Sequence, residues 1–225
     1  MDRKVARNPL LLLHSTVMPH NKKDKTTGMI DENSFVKYIN EQLGLPIPLA
    51  ERVVSYFDYK IIPKKTLILK VGEICENYMF IHDGIMRSYI FDDEGTEITT
   101  NFYTKNQVAI EPASFFNRSL SSENIQTLTD CIVWLVDFQK MNQHFNHYPE
   151  HREFGRRLLV RSMVELKERM ISLQTETAEK RYFLLLKQNP EILKYVPLKQ
   201  IATYLGVTDT SLSRIRKLLL KNQTE

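Results

Sequence analysis

The chain has 225 residues, 42% hydrophobic and 26% charged, which fits a globular protein and excludes a disordered or fibrous one. Two cysteines, Cys75 and Cys131, are too few for a disulfide scaffold or a four-thiolate cluster, and no apolar run approaches the ~20 residues that span a bilayer. The net charge of +4 is uneven: 15 Lys/Arg face 9 Asp/Glu from Glu150 onward, against 16 and 18 before it, so any polyanion partner belongs to the last third.

The N-terminal stretch "MDRKVARNPLLLLHSTVMPH" mimics a signal peptide, but His14 breaks its apolar core and no small-x-small cleavage site follows. Residues 1–28 therefore read as a disordered extension, with Met29 as an alternative start, and the location expected is cytoplasmic. "SFVKYINEQL" places Phe35, Ile39 and Leu43 at helical spacing before Gly44 and Pro46. A second short helix is expected over "PLAERVVSYF", with Val53, Val54 and Phe57 on one side. From Lys60 to Asp137 short β-branched and aromatic runs alternate with turns at Pro63, Gly72, "HDG" (82–84) and "DDEG" (92–95). This rhythm predicts antiparallel strands of a barrel or sandwich, and Gly95 can take the positive φ of a hairpin.

After Phe138 the alternation stops. Pro149 opens about 25 residues in which Leu159, Met163, Leu166, Met170 and Leu173 recur every three or four positions, widened by Val160, Val164 and Ile171. A lone helix of about 37 Å is not stable without covering such a stripe. It can pack on its own domain; a two-stranded dimer seam explains its length more economically. "TETAEKRYFLLLKQ" predicts another helix, capped at Thr175 and closed by Asn189-Pro190.

In "VPLKQIATYLGVTDTSLSRIRKLL" a compact helix carries Leu198, Ile201, Ala202 and Leu205. Gly206 supplies a left-handed turn, and Val207, Leu212 and Ile215 pin a following helix against the first. That is helix-turn-helix logic. Thr208, Asp209, Thr210, Ser211, Ser213, Arg214 and Lys217 then face solvent or DNA. The short hydroxyls let backbone approach base edges, Arg214 can fork onto a guanine, and Arg216, Lys217 and Lys221 suit phosphates. Thr208 is equally a good N-cap needing no other role.

With these residues in hand, the chain resembles the Crp–Fnr transcription regulators. The resemblance rests on "VGEICENYMFIHDGIMRSYIFDDEGTEITTNF", with Gly72-Glu73, Gly84 and Gly95 in order, and on "IATYLGVTDTSLSRIRKLL"; it runs from about Phe35 to Lys221. It implies an α+β chain: an N-terminal antiparallel, jelly-roll-like β-roll sensor domain, a long dimerisation helix and a C-terminal winged helix-turn-helix. The corresponding boundaries are 29–148 for the cyclic-nucleotide-binding-like roll, 149–174 for the dimerisation helix and 175–225 for the DNA-binding domain. It further implies a homodimer on near-palindromic double-stranded DNA and contact with RNA polymerase. Because the chain ends soon after the second reader helix, wing strands are expected in "EILKYVP".

In cyclic-nucleotide-binding relatives the roll carries a cassette that begins Gly-Glu and ends with Arg and a small residue, the Arg neutralising phosphate. Here the stretch is "VAIEPASFFNRSLSSENIQTL": Glu111 keeps the glutamate, Ile110 replaces the glycine, Pro112 removes an amide, and Ser121 or Ser122 stands at the arginine position. Losing that charge-assisted contact argues against tight cyclic AMP binding. Glu111, Ser114, Ser121 and Ser122 remain candidates for another small-molecule effector, or simply satisfy a loop. No cofactor is expected, and no cysteine cluster exists for iron–sulfur sensing.

Two other classes compete. A cupin-like β-barrel metalloprotein needs several converging histidines, yet the roll holds only His82; His144, His147 and His151 are split by Pro149 and read as a solvated junction. Alternatively, the helix-turn-helix tail serves protein interaction rather than DNA. No nucleophile elbow, P-loop or dinucleotide fingerprint appears, so no enzyme or metal site is expected.

Overall fold

The computed structural model describes residues 32–222; the extension proposed for residues 1–28 lies outside them. Helix α1 (Glu32–Leu43) buries Phe35, Tyr38, Ile39 and Leu43 on one face. It ends where Gly44 turns to φ +68° and donates to the Asn40 carbonyl. Helix α2 (Ile47–Val54) follows Pro46, whose fixed φ suits a helix entrance. It stops at Val54, so Phe57 lies beyond it rather than on it, half-buried edge-on against Phe35.

Eight strands follow: β1 (Asp58–Ile62), β2 (Leu67–Leu69), β3 (Asn77–Asp83), β4 (Met86–Phe91), β5 (Glu97–Tyr103), β6 (Val108–Ala109), β7 (Asn124–Thr127) and β8 (Cys131–Asp137). They form two four-stranded antiparallel sheets, ordered β1-β8-β3-β6 and β2-β7-β4-β5. Together these make the expected antiparallel double sheet, with Phe80, Ile81, Met86, Phe115, Ile125 and Val133 in the core. Phe35 stacks on Phe80 at 4.2 Å between ring centres, so α1 seals the first sheet. Gly84, at φ +99°, has a reason beyond its turn: a Cβ there would lie 2.6 Å from the Asp130 carbonyl.

Between β6 and β7 sits α3 (Pro112–Asn117), and after β8 come α4 (Phe138–His147) and α5 (Pro149–Thr175). The first third of α5 buries Glu150, His151, Phe154 and Leu158. Beyond Leu158 the helix leaves its apolar side chains uncovered. The chain then folds α6 (Ala178–Gln188), α7 (Ile192–Tyr195), α8 (Leu198–Tyr204) and α9 (Asp209–Asn222). Tyr182, Leu185, Ile192, Ile201, Leu205 and Leu212 form a second core, which also takes in Ile85, Phe102 and Leu128 of the roll.

Three local expectations need correction. The winged element is not found: "EILKYVP" holds the short helix α7 rather than strands, and no strand follows Asp137 among the described residues. Ile192 is wholly buried there, and its seat in the second core is served by a helical turn after Asn189-Pro190. Helix α6 is capped by Thr177, which accepts from the Lys180 N–H at 3.2 Å. Thr175 instead closes α5, its hydroxyl donating to the Ile171 carbonyl at 2.9 Å. Finally, the histidine junction is not solvated throughout: His151 is only 4% exposed and packs against Tyr56, Tyr148 and His144.

Candidate functional site

Helices α8 and α9 meet across Leu205–Thr208. Gly206 adopts φ +70°, and the Val207 N–H donates to the Ala202 carbonyl at 3.0 Å, folding the turn back onto α8. Ala202 and Leu212 are buried between the two helices, with Val207, Ile215 and Leu219 packed beside them. Thr208 caps α9 by accepting from the Ser211 N–H at 3.2 Å. The outer face of α9 presents Thr208, Asp209, Thr210, Ser213, Arg214 and Lys217 as exposed side chains. Ser211 is half-buried, its hydroxyl held by Thr208 at 2.9 Å. Arg216 turns inward instead and hydrogen-bonds the Tyr182 hydroxyl.

Along α5, Leu159, Met163, Leu166, Met170 and Leu173 are 43–66% exposed, as are Val160, Val164 and Ile171 within that range. They lie on an uninterrupted helix, so the stripe is a continuous unpaired apolar surface. Arg169, on the same helix, turns the other way: its guanidinium lies 4.0 Å over the Tyr204 ring and donates to the Thr100 carbonyl. The Thr99 N–H donates to Thr203 Oγ1 at 3.2 Å, and Phe102 packs on Tyr204 at 4.9 Å. Because β5 is an edge strand, α8 covers backbone groups that would otherwise stand open.

The four effector candidates do not converge on one space. Glu111 is the N-cap of α3, its carboxylate accepting from the Ala113 and Ser114 N–H groups. Ser114 Oγ accepts from the Cys75 N–H at 2.8 Å. Ser121 Oγ donates to the Glu123 carbonyl at 2.8 Å and accepts from its N–H at 3.2 Å, while Ser122 is exposed. Arg118, the nearest cassette cation, points to the Cys75 carbonyl (3.1 Å), Glu76 (2.6 Å) and the Phe138 ring (4.3 Å). A groove of about 1740 Å³ runs between the roll, α5 and α6; of the four candidates only Glu111 lines it.

Residues 59–148 match the cyclic nucleotide-binding domain family. This part of the chain is similar to that domain family, which covers less than half of the chain. No curated protein matches the chain, whereas many solved structures do. CLP of Xanthomonas campestris, described as a c-di-GMP responsive global regulator, is 15% identical with a TM-score of 0.62, covering 79% of this chain and 93% of its own. A protein of Eubacterium rectale assigned to the crp/fnr family of transcriptional regulators is 17% identical, with a TM-score of 0.61 and coverage of 82% and 88%. FixK2 of Bradyrhizobium japonicum is 20% identical, with a TM-score of 0.59 and coverage of 74% and 86%. The chain therefore has the Crp/Fnr fold.

Within the matched residues, side chains missed in the sequence line the groove. Ser88 of β4, Thr100 and Tyr103 of β5 and Glu123 before β7 all face the groove. Ser88 Oγ and Thr100 Oγ1 are 2.8 Å apart, and Tyr103 donates to Ser88 at 3.4 Å. The Glu123 carboxylate lies beside these hydroxyls, which favour its charged form, while its burial pushes its pKa up. Burial raises Tyr103 to about 12. Strand alternation carried the missed signal: positions 123, 125 and 127 share a face, as do 86 and 88 opposite them. Among the described residues no group of three or more His, Cys, Asp or Glu is placed to hold a metal ion.

Proposed function

We propose that the chain is a sequence-specific DNA-binding transcription regulator of the Crp–Fnr type, acting as a homodimer and contacting RNA polymerase. The observation that carries the reading is the outward face of α9, where short hydroxyls at the helix start precede exposed Arg214 and Lys217. Short side chains at a helix N-terminus allow close approach in a major groove, and the cations that follow suit guanine edges and phosphates. The uncovered stripe of α5 supports pairing of two copies, which would set two α9 helices one helical turn of DNA apart.

The pocket chemistry supports a regulator that does not take cyclic AMP tightly. No cassette cation faces the chamber, and Arg118 is held outside it by Glu76 and Phe138. A cyclic phosphate would meet the Glu123 carboxylate, while Arg169, the cation beside it, is committed to the Thr100 carbonyl and the Tyr204 ring. Genomic footprinting of the tagged protein tests the reading: discrete, near-palindromic sites are expected, and protection no better than random background would overturn it.

A further inference from the structure

We propose that the chamber lined by the matched residues binds a small organic amine, with the Glu123 carboxylate as its counter-ion. The proposal rests on the regulator reading only in calling that amine an effector; the site stands on its own geometry. Two strands, β4 and β5, converge hydroxyl side chains there on Glu123, the residue before β7. Tyr103 donates to Ser88, Ser88 and Thr100 lie 2.8 Å apart, and the Glu123 carboxylate lies beside these two hydroxyls in the same groove. The chain of donors ends on an acceptor. A carboxylate offers about four lone-pair sites, so two hydroxyls leave acceptor capacity turned to the groove.

Among the described residues no cation pairs with Glu123 directly. Arg169 is the near cation, but it is committed to the Thr100 carbonyl and the Tyr204 ring. Arg161 is held by Glu165 at 3.0 Å and the Tyr38 hydroxyl at 3.0 Å. Burial disfavours a lone carboxylate, and a bound ammonium or guanidinium reverses that penalty through a charge-assisted hydrogen bond. The groove also offers the Tyr103 ring as an apolar wall for the body of such a ligand.

The test is calorimetric titration of the full chain, without DNA, using putrescine and agmatine as probes and cyclic AMP as the anionic counterpart. At least one amine should bind saturably and more weakly as pH falls, since protonating Glu123, whose pKa is raised by burial and by the facing Glu111 and lowered by Arg169, removes the counter-ion. Glu123→Gln should weaken that binding about tenfold or more while unfolding thermally as cooperatively as the parent. Glu41→Gln, at an exposed carboxylate of α1 paired with Lys37, should leave it unchanged. Absence of binding by both amines, equal binding to Glu123→Gln, or preference for cyclic AMP would each overturn the site. DNA binding measured separately decides the regulator reading, so either idea fails without the other.

Discussion

His151 shows how one side chain can tie stability to pH. It is buried beside Tyr56, Tyr148 and His144, and neither ring nitrogen has a hydrogen-bond partner. Burial first, then His144, lowers its pKa to about 4, while Glu150 and Arg52 facing it act in opposite directions. A base with a depressed folded pKa stabilises fully above its unfolded value near 6.5, and that contribution is lost as pH falls towards 4. We expect unfolding free energy to fall over this window by up to about 1.4 kcal/mol per pH unit from this group. In His151→Phe that component should vanish, measured as the difference in urea midpoints between pH 7 and pH 4.5; an unchanged difference would contradict the assignment.

The glycines separate two kinds of cost. Gly84→Ala drives a methyl into the Asp130 carbonyl and should destabilise by roughly 3 kcal/mol. Gly206→Ala meets open space and carries only the left-handed backbone penalty, roughly 1 kcal/mol. Urea unfolding of both variants checks the ranking.

Among the elements, α5 and α9 differ in how much of their role was legible. Periodicity alone located the stripe from Leu159 to Leu173, because a 3.6-residue repeat in a proline-free run is a local property. The strands were legible for the same reason. The wing was misplaced because Ile192, Leu193, Tyr195 and Val196 have the residue types of a strand, while the second core seats Ile192 and Val196 from a helical turn. The cassette is contiguous in sequence, whereas the side chains sharing the chamber come from β4, β5 and the residue before β7, which only the register brings together. For α5 the expected outcome is concrete: Leu166→Glu should convert a dimer into monomers in sedimentation, since each covered aliphatic side chain is worth about 1 kcal/mol or more. A dimer unchanged by that substitution would argue for another interface. For α9, Lys217→Ala should lower the salt slope of DNA binding by about one, without altering sequence preference.

At the scale of the whole molecule, the helices after α5 are not a free-standing tail. The Thr99–Thr203 bond, the Arg169 stack on Tyr204 and the 2.8 Å Thr104–Asn189 contact join them to the edge of the second sheet. The two hydrogen bonds link residues 104 and 85 positions apart, so no local pattern could announce them. Thr100 belongs to both sides, facing Glu123 through its hydroxyl and Arg169 through its carbonyl. Thr203→Val removes the acceptor for the Thr99 N–H, and amide exchange at Thr99 should accelerate about tenfold; unchanged protection there would show that α8 does not hold the strand edge.

In the proposed assembly, two copies joined along α5 would place paired α9 helices in a DNA groove. Its most direct measurement is fluorescence anisotropy of the purified chain on a footprinted duplex, titrated with salt against random competitor. We predict preference for the footprinted sequence by a dimer, with affinity falling steeply as salt rises. Binding no tighter than to random duplex, or a chain that remains monomeric on the DNA, would contradict it.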